Sequence, residues 1–502
     1  MDSIQTLSNA VASAIAGNSI YSAHHDVWRY LLESFTGGEE YRNAGHLVRY
    51  QLENNNEYQA RLKQTPLDNH CQAVVSVYNS FLFRNKAQRE LGTLDGLAET
   101  QDFLRDADLD GRSLDNFMKD VATWASVFGH TWVMVVKPNV GATTRAEELA
   151  LGVRPYISYL TPLVVLDWSW SRNVAGRYEL SYFKYIEESN GSFKVIKEWT
   201  PQMIYTTEVD VEHDTVLKTY EEVNQLNKIP AVCVYNKKSI TRGLGISDIA
   251  DIADAQKFIY NCTSEILQSV QMDTHPSLVA TPETNVGTGS GALIHMPDNL
   301  DPALKPYLLE FSGAGVDKIL SAISHKEEAI DKMANIGSIR GTEAKRMSGV
   351  AQQQEFELLN ARLAEKANNL EHAEEQIWRL VCEYSNISYT ATIKYPGSFN
   401  IRDTSDEIAQ LKIAAEAVGD DPTAKTAIVD KVFEWMGVEK PDTRQYSNGE
   451  PIDPRLPDAY RDATGQAQQC ENCAFYNPET FACGAFEGAA VRPMWVCAQW
   501  SQ

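Results

Sequence analysis

Residues 336–349 read Ile-Gly-Ser-Ile-Arg-Gly-Thr-Glu-Ala-Lys-Arg-Met-Ser-Gly, a glycine-punctuated run of small and basic residues, and one long apolar stripe starts directly behind it. In that stripe Phe356, Leu359, Leu363, Ala367, Leu370, Ile377, Leu380 and Tyr384 are separated by 3, 4, 4, 3, 7, 3 and 4 positions, the spacing of one helix face. From Ala351 to Tyr384 such a helix is roughly 50 Å long at about 1.5 Å per residue, more than one small domain covers. It is therefore expected as a coiled-coil arm or as a helix packed against neighbouring subunits.

Upstream, two further helices flank a loop-rich insert. The first, Ile246 to Met272, carries Ile249, Ile252, Ala253, Ile259, Ile266, Leu267 and Val270 at helical spacing. Ser247 is placed to cap it, and Asp248 and Asp251 suit its first turn. His275-Pro276 stops it. The second is marked by Val316, Ile319, Ile323, Ile330 and Met333. Between them Ser277 to Gly315 holds Gly287, Gly289, Gly291, Gly313 and four prolines, which predicts short strands and loops.

Further outward, Thr131 to Val234 changes to period two, with Trp132-Val-Met-Val-Val136, Tyr182-Phe-Lys-Tyr-Ile186 and Phe193-Lys-Val-Ile196 as strands and Pro155, Pro162, Pro201 and Pro230 as breaks. Residues 1–90 read as helices: Val27, Tyr30, Leu31 and Phe35 form one stripe, and Leu67, Val74, Val75, Tyr78 and Leu82 another. The polar, Asn-rich segment from Tyr41 to Tyr58 is expected as a surface connection. Downstream come a short strand at Tyr389 to Lys394, helices near Ile408–Ala417 and Ala424–Met436, and a proline-rich linker over 441–457. The fold class is α+β, mainly helical.

The chain has 502 residues, 43% of them hydrophobic, enough to bury a core without crosslinks. No window approaches the roughly 18 consecutive apolar residues of a membrane span, and MDSIQTLSNAVASAIAG has no basic region ahead of its Ala-rich stretch. The expectation is a protein without a membrane partner, synthesised in a cytoplasm. A net charge of −23 argues against a protein that grips phosphates, though not against one that surrounds DNA without holding it. No GxxxxGK[ST] loop, G-x-S-x-G elbow or H-E-x-x-H pair occurs, so the chain is not expected to be an enzyme. Asp106-Ala-Asp108-Leu-Asp110-Gly111 mimics the start of a calcium loop, but Phe117 stands where a bidentate Glu is required. A turn is expected instead, with Ser113 capping the helix behind it. His24 and His25 are adjacent, and neighbours point apart on a helix, so they are not expected to share a ligand.

Cys71, Cys233, Cys262 and Cys382 are isolated and expected as small buried hydrophobes. Cys470, Cys473, Cys483 and Cys497 crowd the C-terminus, and four thiolates in one short segment suit a tetrahedral zinc or a four-iron cluster. Only Cys470-Glu-Asn-Cys473 is a knuckle of the zinc type.

In its order of elements, and in Ile229-Pro-Ala-Val-Cys-Val-Tyr235, Gly245-Ile-Ser-Asp-Ile-Ala-Asp251 and Lys345-Arg-Met-Ser-Gly-Val-Ala351, the chain resembles the portal proteins of tailed phages over about residues 20–440. The resemblance implies a wing over 1–243, stem helices over 244–273 and 315–336, a clip over 274–314, a tunnel loop over 337–350, and the long helix and crown over 351–440. It implies a ring of about 12 subunits at one head vertex of the virion, through which double-stranded DNA passes. The terminase motor, a head-tail adaptor and the major capsid protein would be its partners. Arg340, Lys345 and Arg346 would line the DNA tunnel.

Residues 458–502, with Tyr460-Arg-Asp-Ala-Thr464 and Cys497-Ala-Gln-Trp500, resemble the high-potential iron-sulfur proteins. That likeness implies a [4Fe–4S] cluster held by Cys470, Cys473, Cys483 and Cys497, with Tyr460 beside it and Phe475, Phe481, Trp495 and Trp500 as an apolar wall. Val496 departs from the family, which has Trp directly before the last cysteine. The second reading of the whole chain is an iron-sulfur electron carrier with a large partner-binding region, and a third is a ring adaptor.

Overall fold

Asn18, Asn54, Asn69 and Ser113 each accept the backbone N–H of the residue three places on, and each starts a helix. The computed structural model describes residues 9–141, 144–274, 277–282, 284–286, 294–296, 298, 301, 304–309, 314–337, 349–397 and 399, with five two-residue strands between 461 and 496. The helical beginning comprises α1 (Asn9–Ile15), α2 (Ser19–Thr36), α3 (Gly38–Asn43), α4 (Asn55–Gln64) and α5 (His70–Leu82). The segment expected as a surface connection takes in the end of α3 and the first turn of α4, and between them 44–54 is a non-helical, mostly exposed connection. Tyr41 is wholly buried with Leu47, Leu62 and Tyr260 in a small core of its own. The capping box of Asn54 and Glu57 starts α4 in a sequence too polar to show an apolar stripe.

Next come β1 (Gln88–Glu90), α6 (Ala98–Arg105), α7 (Leu114–Phe128), β2 (His130–Val136), α8 (Arg145–Ala150) and β3 (Tyr156–Leu160). The β-rich block continues with β4 (Val165–Arg172), β5 (Tyr178–Asn190), β6 (Phe193–Trp199), β7 (Met203–Asp210), β8 (Thr215–Val223) and β9 (Ala231–Tyr235). It divides into two antiparallel sheets, one ordered β3-β2-β9 and one a meander ordered β4-β5-β6-β7-β8. The expected alternation fails in β2, where every residue from His130 to Val135 is buried because α7 and a later helix pack on it. Trp132 joins the sheets, its ring 4.9 Å from Phe183 and 6.0 Å from Trp168.

The chain then forms α9 (Ala250–Thr274), the short strands β10 (Ser277–Val279), β11 (Asn285–Val286), β12 (Ile294–His295) and β13 (Tyr307–Leu309), and α10 (Ala314–Ala334). Strands β10 and β13 pair, as do β11 and β12, which bears out short strands in this insert. Helices α9 and α10 lie along each other. The buried residues of α9 fall between Ile252 and Ser264, while Ile330 and Ala334 are buried at the end of α10. The last turns of α9 and the first of α10 are largely exposed, so the pair emerges from the core with the β10–β13 segment at its far end.

Helix α11 (Gly349–Tyr384) follows, then β14 (Thr392–Lys394) paired with β1. Its stripe matches the expected one, but its packing corrects the coiled-coil arm. Leu359, Leu363, Ala367, Leu370 and Ile377 are buried against α5, β2, β9 and β14 of the same chain. A helix too long for one small domain here forms the spine of a large one. Among the described residues no helix is long and apolar enough to cross a membrane.

The chain forms two compact units, Met1–Asn400 and Ile401–Gln502. In the second, β15 (Arg461–Asp462) pairs β19 (Trp495–Val496), and β16 (Tyr476–Asn477), β17 (Ala482–Cys483) and β18 (Ala489–Ala490) form a three-stranded sheet. The helices expected near 408–417 and 424–436, and the linker, lie outside the described residues.

Candidate functional site

The segment that leads from β9 into α9 crosses the end of α7, and a set of buried ions gathers there. Asp248 N–H donates to Ser126 O at 2.9 Å, and Ser247 Oγ donates to Val127 O at 2.6 Å while accepting Ile249 N–H at 3.1 Å. Ser247 therefore ties the segment to α7 before the helix begins. Helix α9 starts at Ala250 rather than Ile246.

Asp248, expected in the first turn of this helix, lies ahead of it and is paired with two cations from α11. Arg362 Nη2 donates to its Oδ1 at 2.9 Å, and Lys366 Nζ donates to its Oδ2. The same ammonium donates to Asn236 Oδ1 and, at 2.8 Å, to Ser126 Oγ, so each of its three N–H groups has an acceptor. Burial alone would raise the Asp248 carboxyl, but Lys366 and Arg362 outweigh it and hold it below the ordinary carboxylate range. Lys366 is pulled below the ordinary ammonium range, chiefly by burial against the opposing attraction of Asp248.

The same residues fix the end of α10. Arg362 Nη1 donates to Met333 O at 3.0 Å and Tyr78 O–H to Ala334 O at 2.7 Å, which caps two of that helix's last carbonyls. Both cations stand over the Tyr78 ring, Arg362 at 5.1 Å and Lys366 at 5.3 Å from its centre. A cleft of about 490 Å³ opens beside this hub, lined among others by Lys237, Asp251, Asn335 and Glu365. Asp248, Arg362 and Lys366 are satisfied by one another and by Asn236, Ser126 and Met333. Together they lock the start of α9 and the end of α10 to α11.

Residues 338–348, which carry Arg340, Lys345 and Arg346, leave from the end of α10 and enter α11, but lie outside the described residues. Cys483 falls in β17, opposite Tyr476 and Ala489, and Trp495 opposite Asp462. Tyr460, Cys470, Cys473, Cys497 and Trp500 lie outside the described residues.

The Asp106–Gly111 run is the expected turn. Asp106 Oδ1 accepts Gly111 N–H at 2.8 Å, Arg154 pairs its Oδ2 at 3.0 Å, and Arg112 pairs Asp108 at 2.8 Å, so arginines occupy these carboxylates. Ser113 caps α7 as expected. Among the described residues no group of three or more His, Cys, Asp or Glu is placed to hold a metal ion. Cys71 and Cys382 are buried and Cys233 and Cys262 partly so; burial pushes the thiols of Cys71 and Cys233 up to about 12, which makes them inert.

No protein-family model and no curated protein matches the chain. Among solved structures it is similar to a chain of the virion of the native gene transfer agent particle, at 10% identity and a TM-score of 0.41, covering 82% of this chain and 98% of that one. It is also similar to a chain from the neck of the empty particle computed with C6 symmetry, at 11% identity, 80% and 99% coverage and a TM-score of 0.42. A chain from the neck of the native particle computed with C12 symmetry gives 10% identity, 78% and 96% coverage and 0.39.

Proposed function

We propose that this chain is the ring-forming portal-type subunit of a phage-like virion, a non-enzymatic conduit for double-stranded DNA and a platform for joining head to tail. The observation that carries this reading is the Asp248–Lys366–Arg362 hub. It fixes the base of an exposed helix pair, α9 and α10, to the spine helix α11, and in sequence the basic 338–348 segment connects α10 to α11. A stem that bears a loop facing a moving DNA needs such a fixed base, since a loop on a loose joint would not hold its radius. In this reading α9 and α10 form the stem, β10 to β13 belong to the clip, and Arg340, Lys345 and Arg346 touch phosphates in passing. A chain of net charge −23 around them keeps DNA from adhering. About 12 copies would form the ring, with the terminase motor, a head-tail adaptor and the major capsid protein as partners.

The second unit would carry a cofactor. Its four-thiol donor set, Cys470, Cys473, Cys483 and Cys497, suits a [4Fe–4S] cluster, with zinc as the alternative the same thiols accept. Bound there, the cluster would crosslink four points between 470 and 497 and supply, in a suitable potential range, a one-electron centre.

Negative-stain electron microscopy of the anaerobically purified chain tests the main reading. Closed rings of about 12 subunits around a channel are expected; monomers or dimers under all assembly conditions would overturn it. Replacing Arg340, Lys345 and Arg346 by Ala should lower DNA packaging, and unchanged packaging would remove the tunnel assignment.

A further inference from the structure

Two turns meet near the β4 edge of the five-stranded sheet. Arg172 ends β4 and Arg177 lies in the β4–β5 turn, and the excursion between β9 and α9 carries Lys238 and Arg242. The Arg242 guanidinium lies 4.0 Å from the centre of the Tyr178 ring and 5.5 Å from that of Trp170. Arg172 lies 4.6 Å from Tyr178, and Lys238 Nζ 5.4 Å from Tyr235. Aromatic faces thus pre-order Arg172, Lys238 and Arg242. All four are exposed, and among the described residues none is in an ion pair. On a chain of net charge −23 this is a local excess of positive charge that its own carboxylates leave uncovered. Val174 and Ile240, on the same two turns, are fully exposed aliphatic tips.

The opposite edge of that sheet has the complementary character. Strand β8 pairs β7 on one side, and no strand pairs its other side among the described residues. It exposes Leu217 and, alternating between the faces, Lys218, Tyr220 and Glu222 on one and Glu221 and Val223 on the other, with Glu222 Oε1 accepting Asn139 Nδ2 at 3.0 Å. Four strand spacings of about 4.8 Å, roughly 19 Å, separate the two edges. The edges of one open sheet face away from each other, so patch and complement meet only between copies. A head-to-tail contact of this kind is what a cyclic ring repeats, given a rotation that closes.

We propose that Arg172, Arg177, Lys238 and Arg242 of one copy dock on the Glu221–Glu222 edge of a second copy, with Val174 and Ile240 against Leu217 and Tyr220. The inference rests on the ring reading and assigns the faces that would build it. A phosphate backbone offers nothing to the aliphatic tips, whereas β8 offers both carboxylates and apolar side chains, which favours the chain itself over DNA.

Mass photometry of the full chain tests this with charge reversals. Arg172→Glu with Arg242→Glu should raise the concentration at which rings dissociate at least tenfold, and Glu221→Arg with Glu222→Arg should do the same. All four together should restore it, with circular dichroism confirming that each variant folds. Rings unmoved by both reversals would overturn the docking and leave the ring reading standing, whereas a wild-type chain that never assembles would sink both. Failure of the fourfold variant to restore assembly would overturn the pairing. So would loss of binding to a labelled duplex of about 20 base pairs by the Arg172→Glu and Arg242→Glu chain while its rings persist, which would identify the patch as a DNA contact.

Discussion

A Cβ built on Gly245 stands 1.8 Å from the carbonyl oxygen of Gly129, and one built on Gly129 stands 2.5 Å from the carbonyl carbon of Gly245. The two backbones cross where no side chain fits, and Gly129 also adopts φ +89, which L residues rarely take. This crossing lets Asn236 N–H reach Gly129 O at 2.9 Å and sets Asp248 beside α7. Gly245→Ala must move backbone rather than a rotamer and should cost about 3 kcal/mol or more. Gly191→Ala has φ +59 but open space around it, and should cost only about 1 kcal/mol. Thermal melts compare the two; equal shifts would show that the crossing is not tight.

Removing Asp248 leaves Lys366 and Arg362 facing each other without a counter-charge. Asp248→Ala should cost about 3–5 kcal/mol, and Asp248→Leu combined with Lys366→Met should recover much of it, because the enclosed ammonium leaves together with its partner. A double-mutant cycle by denaturant unfolding measures the coupling. Strictly additive losses would mean that the two side chains do not act as a pair.

His130 is fully enclosed, 5.8 Å from the Trp28 ring, and accepts Gly245 N–H on Nδ1 at 3.4 Å. Burial, with a smaller contribution from His24, lowers its pKa to about 3, so the folded state holds it neutral. Between that value and the unfolded value near 6.5 the unfolded chain binds the extra proton, and stability falls as pH falls, by about 1.4 kcal/mol per unit at most. From pH 7 to pH 5 the wild type should lose about 2 kcal/mol more than His130→Asn. Urea titrations at the two pH values give the difference, and parallel losses would place the acid sensitivity elsewhere.

Dense apolar stripes made α5, α7, α9, α10 and α11 legible to within a few residues, because each keeps apolar residues at helical spacing, buried along α5, α7 and α11 and only at the base of α9 and α10. The ions on those faces were not. Lys366 stands between Leu363 and Leu370, and Glu374 between Leu370 and Ile377, at positions the stripe leaves to apolar residues. A charge on a buried face is the one local signal of a hub, and it does not name its partner. Lys366 meets Asp248, 118 positions away, and Glu374 accepts Arg89 Nε at 2.6 Å from 285 positions away. Such pairs follow from tertiary placement, which spacing does not encode. The division of the β block escaped for a related reason: β2 reads as a strand in either sheet, and only the helices packed on it make it the buried centre of one.

For the second unit the prediction concerns metal. The antiparallel sheet β16-β17-β18 places Cys483 on its middle strand, opposite Tyr476 and Ala489. Cys470-Glu-Asn-Cys473 precedes that sheet and Cys497 follows β19, so a shared metal would tie the segments at either end to its centre. A ligand set spread in this way gains stability from the loops that metal binding closes. Anaerobically purified chain should contain iron and inorganic sulfide in equal amounts, as a [4Fe–4S] cluster requires, with broad visible absorbance. Cys483→Ser should abolish the absorbance and lower the melting temperature of the second unit, leaving that of Met1–Asn400 unchanged. Zinc without iron in the purified chain would replace the cluster with a structural zinc site, and neither metal would leave the four thiols without the role assigned to them.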